Sequence, residues 1–170
     1  MLNSSSLWLS QDSFDTLYPF RQIEKSPLIN YLLYDRAQFT DIPLEDVDRL
    51  LNNKISSNDK LIISATYGLL KIVKYLVDNG ADIHAKDDLV LQVAIENGHL
   101  EIVQYLVSKG VNIHVYYDLA LQWAARNGHL DIVKYLVDQG ANIHAIDDWA
   151  LREAEENGHD EVVAYLKSLP

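Results

Sequence analysis

Six histidines recur along the chain in two regular series, and the recurrence raises the question of a metal site. Each series has a step of thirty residues: His84, His114 and His144 in one, and His99, His129 and His159 in the other. Zinc needs about four ligands within ~2.3 Å of one point. Equivalent residues of neighbouring stacked units lie roughly 8–10 Å apart, which is too far for one ion. We therefore predict no metal site, and we interpret the histidines as turn-stabilising side chains.

Carboxylates are the second group that could do chemistry, and they crowd near the end of the chain. The stretch REAEENGHDE, residues 152–161, holds five acids. Paired carboxylates can act as general acid and base, but they need a pocket and raised pKa values. No G-x-S-x-G, P-loop or H-E-x-x-H motif accompanies them. We predict no enzyme activity and no cofactor, with the acids on a solvated capping face. An unfamiliar acidic active site at 147–156 is the alternative.

The composition predicts an acidic globular protein. Of the 170 residues, 48% are apolar and 23% are charged, which is typical of folded chains. The net charge of -11 argues against a nucleic-acid partner, since such binders usually carry a basic stripe. The absence of cysteine excludes disulfides and thiol chemistry. We see no secretory signal and no run of ~20 apolar residues, so we expect no membrane contact and a cytoplasmic or nuclear location.

An internal repeat of thirty residues organises the C-terminal two thirds of the chain. The words NGHLEIVQYLVSKGVNIH at 97–114 return almost unchanged as NGHLDIVKYLVDQGANIH at 127–144. Glycine, leucine and tyrosine landmarks keep the same step, which is typical of a repeat architecture. We divide this region into three full units and a shorter last one: 58–86, 87–116, 117–146 and 147–170.

Each unit is predicted to contain two short helices. In the third unit, Asp118 is a suitable N-cap for the first helix, and Leu121 and Ala124 lie on its apolar stripe. Gly128 predicts a left-handed end to that helix. LDIVKYLVDQG predicts the second helix, and ANIHAI is expected to return the chain in an extended form. No unit can bury its stripe alone, so the units must stack into an all-α array.

The words GHLEIVQYLVSKGVNI and GHLDIVKYLVDQGANI resemble the second half of the ankyrin repeat. The resemblance covers 58–170 and implies an ankyrin-type solenoid. The family period is about 33 residues, with T-P-L-H-x-A opening the first helix; here DLVLQVA, DLALQWA and DWALREA stand in its place. We assign the three missing residues to the β-turn finger and interpret Asp88, Asp118 and Asp148 as replacements for the threonine cap. Arrays with such short fingers resemble ankyrin proteins of giant DNA viruses of amoebae, for which the host-cell cytoplasm would be the location.

The resemblance implies that the chain binds another protein, and short fingers would shift recognition towards the first helices. Candidate contact positions are those that vary between units while their neighbours repeat. Tyrosine, tryptophan and arginine dominate interface hot spots. The predicted partner-binding residues are Tyr116, Tyr117, Gln122, Trp123, Arg126, Trp149 and Arg152. The alternative is that the two tryptophans fill core gaps left by the missing finger.

The first third of the chain keeps no glycine landmarks. Residues 26–57 carry two helix-start patterns, Ser26-Pro27 and Asp41 with Pro43, and are interpreted as a degenerate capping repeat. An independent helical hairpin is the alternative. Residues 1–25 are rich in aromatic side chains, which either pack on the first helices or dock on a partner. In the second case the protein would be an adaptor that links a larger complex, such as a ubiquitin ligase, to a target. We expect a monomer.

Overall fold

The computed structural model describes residues 56–170, so the predictions for 1–25 and for nearly all of 26–57 lie outside the described residues. This part contains eight helices and no β-strand, which confirms the predicted all-α class. In chain order the helices are α1 Ser57–Thr66, α2 Leu70–Asp78, α3 Ala85–Glu96, α4 Leu100–Ser108, α5 Val115–Arg126, α6 Leu130–Asp138, α7 Ala145–Glu156 and α8 Asp160–Lys167.

The helices pack as four consecutive pairs, one pair in each thirty-residue unit. Each of the first helices α1, α3, α5 and α7 contacts the next one in this order. The second helices α2, α4, α6 and α8 contact one another in the same way. Leu61, Leu91 and Leu121 recur at one position of the first helices and are at most 2% exposed. Truncation of such a leucine to alanine typically costs about 2–5 kcal/mol. The array is therefore a repeat solenoid whose core lies between units.

The second helices bury a narrower stripe than their sequence suggests. In α6, Ile132, Val133 and Leu136 are fully buried, whereas Tyr135 and Val137 are half-buried at the edge. The three buried positions are spaced by one, three and four residues and thus lie on one face of the helix. This face packs against the first helix of the same unit and against the neighbouring second helices.

In the first three units both helices end in the same glycine-dependent motif. After α3, the amide of Gly98 donates to the carbonyl of Ile95 at 3.0 Å, and the amide of His99 donates to that of Ala94 at 2.8 Å. This bonding pattern requires a left-handed residue, and Gly98 has a φ of 73°. Gly128, with a φ of 74°, confirms the prediction for α5.

The connection between units is a compact left-handed turn, and the prediction of an extended return was wrong. Tyr116, Tyr117 and Asp118 have φ values of 52°, 60° and 58°, and the equivalent residues 86–88 and 146–148 behave alike. Side chains other than glycine adopt this conformation at a cost of about 1–2 kcal/mol per residue. Three residues of this kind reverse the chain within one turn, so the shortened finger needs no extended segment.

The aspartates that close these turns do not act as the predicted N-caps. The carboxylates of Asp88, Asp118 and Asp148 lie 2.7, 2.7 and 2.6 Å from Nδ1 of the histidine four residues earlier. The left-handed residues turn each carboxylate back towards the imidazole and away from the first amides of the helix. The turn is thus stabilised by a histidine–aspartate pair, which offsets part of the backbone strain.

In the described part of the chain, no helix is both long and apolar enough to cross a bilayer.

Candidate functional site

The histidines that follow glycine connect neighbouring units. Nε2 of His99 donates to the carbonyl of Thr66 at 2.9 Å, and Nε2 of His129 donates to that of Glu96 at 2.9 Å. His159 does the same with Arg126 at 2.8 Å. Each acceptor is a carbonyl near the end of the first helix in the preceding unit. These bonds confirm a structural role for this series of histidines, but they join neighbouring units and do not close a turn.

The other histidines stabilise the turns through their aspartate partners. For His144, the hydrogen bond to Asp148 and, to a smaller extent, one to the backbone of Pro170 raise the pKa of the imidazole. Among residues 56–170 no group of three or more histidine and carboxylate side chains is arranged to hold a metal ion. Both histidine series therefore have structural partners.

Two consecutive tyrosines are the most exposed large apolar side chains in the described residues. Tyr116 is 69% exposed and Tyr117 is 73% exposed, and both lie in the left-handed turn at the start of α5. Ile146, at the first of these positions in the next turn, is 42% exposed. We define the turn row as the first two left-handed residues of each turn: Lys86, Asp87, Tyr116, Tyr117, Ile146 and Asp147.

A shallow groove adjoins the turn row between α3 and α5. Its volume is about 340 Å³, and its walls include Tyr116, Leu119 and Trp123 on one side and Leu91 and Gln92 on the other. Trp123 is half-buried. The structure therefore brings two of the predicted contact residues, Tyr116 and Trp123, together in one concave feature.

Gln122 has a different place from the one predicted. It is only 4% exposed, and its Nε2 donates to the carbonyl of Tyr117 at 2.9 Å. Its Oε1 is buried without a hydrogen-bond partner among the described residues. Since its side chain does not reach the surface, we leave Gln122 out of the contact surface. It instead holds the turn that displays Tyr117.

Arg126 and Trp149 meet at one buried carboxylate. Glu153 is 5% exposed; its Oε1 accepts from Nε1 of Trp149 at 2.7 Å, and its Oε2 lies 3.8 Å from Nε of Arg126. Glu153 therefore does not belong to the solvated face predicted for the acidic cluster. Trp149 is half-buried, so neither tryptophan is a fully buried core residue.

Arg126 also faces an acid in the preceding unit. Burial raises the pKa of Glu96, and the hydrogen bond from Gln92 and the charge of Arg126 counteract this rise. The Gln92 Nε2 donates to Glu96 Oε1 at 2.8 Å. The positive charge of Arg126 in the third unit thus lies between two carboxylates, Glu96 of the second unit and Glu153 of the fourth. The sequence marks 96, 126 and 156 as a variable position, but not the pairing with 153.

Arg152 supports the last turn in a similar way. Its Nη2 donates to the carbonyl of Ile146 at 2.9 Å, while the rest of the side chain is exposed. The seven predicted residues thus divide between one groove, one buried carboxylate and the turns themselves.

The repeat geometry agrees with a known family. The family model described as ankyrin repeats (3 copies) matches residues 61–147 and 91–169. A comparison with curated proteins gives no match. The two matches together run from residue 61 to residue 169, which is more than half of the sequence. The chain belongs to the ankyrin-repeat family.

Proposed function

We propose that this chain is a protein-binding module whose partner contacts the turn row and the adjoining groove of the second and third units. Ankyrin repeats are generally protein–protein interaction modules, and the family is typically non-enzymatic. The observation that carries the proposal is the exposed pair Tyr116 and Tyr117, of which Tyr116 lines the groove together with Trp123. Tyrosine and tryptophan supply large contact area with few rotatable bonds.

The fold does not require aromatic side chains at these two positions. Lys86 and Asp87 occupy the same positions in the preceding turn with φ values of 54° and 56°, close to those of the tyrosines. The tyrosines therefore do not stabilise the turn through a special backbone preference. Large apolar groups that are exposed without a local structural reason often mark an interaction surface.

The turn presents the tyrosines in a constrained form. His114 Nδ1 lies 2.7 Å from Asp118 on one side, and Gln122 donates to the Tyr117 carbonyl on the other. A constrained loop loses less conformational entropy when it binds, so more of the contact energy appears as affinity. This argument favours the turn row over a mobile surface of the same composition.

The test is a double substitution, Tyr116→Lys with Tyr117→Asp, which copies the residues of the preceding turn. Affinity capture from cells, followed by mass spectrometry, compares this variant with the unchanged chain. We expect the fold to persist, as judged by circular dichroism, and the specifically captured proteins to be lost. Trp123→Ala is the second variant, with an expected loss of affinity of about thirtyfold for a hot-spot residue.

Gln104→Lys is the matched control. Gln104 is exposed on the second-helix layer, where the equivalent residues of the neighbouring units are Lys74 and Lys134. The control should retain every captured protein. If the turn variant and Trp123→Ala both fold and retain the same proteins, the surface lies elsewhere, and residues 1–25 become the leading candidate.

The adaptor function is a second hypothesis that depends on the aromatic segment outside the described residues. Trp8→Ala with Phe14→Ala, made in the full chain, should remove one set of captured proteins and leave another if the chain links two partners. A single set that survives these changes unaltered would contradict the adaptor hypothesis.

A further inference from the structure

The turn row carries an exposed carboxylate on each side of the tyrosine pair. The second residue of the turn is Asp87 in the second unit, Tyr117 in the third and Asp147 in the fourth. Both aspartates are exposed, and neither forms an ion pair or hydrogen bond with another described residue. The aspartate at the third position of these two turns, by contrast, is paired with the histidine four residues earlier.

The cations closest in sequence to these carboxylates are engaged elsewhere. Lys86 lies 2.6 Å from Asp59 in the first unit, and Arg152 donates to the carbonyl of Ile146. The positive charges of Lys86 and Arg152 are thus directed to other groups, while the carboxylates of Asp87 and Asp147 remain available to a ligand. A complementary partner would place positive charge at both ends of the edge and an apolar group near its middle.

The spacing of the units selects the conformation of such a partner. Equivalent residues of stacked helical units lie about 8–10 Å apart. A polyproline II segment has three residues per turn with a rise of ~3.1 Å per residue, so every third side chain points the same way at intervals of about 9 Å. An extended β-strand does not offer this match, because its side chains alternate with a period of two.

We propose that the partner presents a basic polyproline II segment, with Lys or Arg at two positions about six residues apart and an apolar residue midway. The basic groups would meet Asp87 and Asp147, and the apolar residue would pack on Tyr117 and its neighbour Tyr116. Polyproline II segments commonly dock in aromatic-lined grooves, because they lose little entropy on binding. This inference rests on the proposed function and names the chemistry of its partner.

The test uses synthetic peptides and the full chain. The probe is a fluorescent proline-rich peptide with two arginines about six residues apart and a leucine midway. Two control peptides replace the arginines by glutamate or place them side by side. Fluorescence anisotropy should show that the spaced arginine peptide binds more tightly than both controls, and that salt weakens its binding.

Variants of the chain locate the contact. Asp87→Asn with Asp147→Asn should weaken binding of the spaced peptide by about tenfold. Glu101→Gln with Glu161→Gln is the matched control, since it removes the same charge from equivalent exposed positions of the second helices. This control should change binding by less than about twofold.

The outcomes separate the two proposals. Equal binding of all three peptides, no measurable binding, or equal loss in the two double variants would overturn the basic polyproline II partner. The interaction surface would still stand if Tyr116→Lys with Tyr117→Asp abolished capture of cellular proteins. If that variant and Trp123→Ala both folded and retained capture, the proposed surface itself would fail.

Discussion

Substitution of Gly98 by alanine tests the contact that joins neighbouring units. Gly98 has a φ of 73°, and a Cβ atom there would lie 2.8 Å from Cε1 and 2.9 Å from Nδ1 of His129. The ring cannot withdraw freely, because its Nε2 donates to the carbonyl of Glu96 at 2.9 Å. We therefore expect Gly98→Ala to combine backbone strain with a clash between two units.

The magnitude follows from these separate contributions. A left-handed alanine costs about 1–2 kcal/mol, and the stiffer unfolded chain returns ~0.4–1 kcal/mol, so the backbone alone contributes about 1 kcal/mol. Overpacking against the ring adds ~1–3 kcal/mol, and loss of the histidine hydrogen bond adds ~0.5–1.5 kcal/mol. We expect Gly98→Ala to lower the free energy of unfolding by about 4 kcal/mol in total.

Gly158 offers a control within the same chain. It ends the first helix of the last unit with a φ of 74°, and a Cβ atom there meets nothing within 4 Å. Gly158→Ala should therefore cost only the backbone contribution of about 1 kcal/mol. Urea unfolding followed by circular dichroism gives both values, with the slope of each transition reported beside its midpoint.

A double-mutant cycle with His129→Ala isolates the clash. Removal of the ring makes room for the new methyl group, so the combined variant should be more stable than the sum of the single changes predicts, by at least about 1 kcal/mol. Equal costs for Gly98→Ala and Gly158→Ala, or strictly additive effects in the cycle, would refute the role of the histidine ring.

Four further predictions address the metal question, the turns and the N-terminal region. A chelator should leave the melting temperature unchanged, and a fall of several degrees would contradict the structural interpretation of the histidines. Gln122→Leu should change the free energy of unfolding by less than ~1 kcal/mol, since the Tyr117 carbonyl can bind water, yet weaken partner binding in a titration. The hydrogen bond to Asp148 raises the pKa of His144 above its ordinary value of 6.5. The stabilisation from this pair is therefore complete below that value and is lost as pH rises through the folded pKa. The urea midpoints of the unchanged chain and of His144→Gln should converge from pH ~5.5 to ~8, and a constant gap between them would contradict the pairing. Deletion of residues 26–57 should expose the apolar face of the first unit and cause aggregation in sedimentation experiments; a monomer with unchanged melting would contradict the capping role.

The local features of the array could be predicted from the sequence because they depend on short-range physics. Asn-Gly pairs and apolar residues at helical spacing specify where helices end and which faces are buried. Gly98, Gly128 and Leu121 behave as expected because a left-handed residue or a buried leucine has few alternatives. The thirty-residue step also implied stacking, since no single helix pair can bury its own apolar stripe.

Tertiary structure decided which polar groups meet. Asp118 looked like a helix cap, but the left-handed turn directs its carboxylate to His114. Gln122 looked like a contact residue, yet the stacking of units buries it beneath the Tyr117 carbonyl. Glu153 belongs to an acidic run in the sequence; Trp149 reaches it from one turn earlier on the same helix, and only the packing of adjacent units brings Arg126 to it. The Arg126–Glu153 pair joins residues far apart in the chain, and the repeat period supplies its register but not the directions of the two side chains. The other three pairings join residues four or five apart, and they depend on how the left-handed turn and the stacked helices orient each side chain.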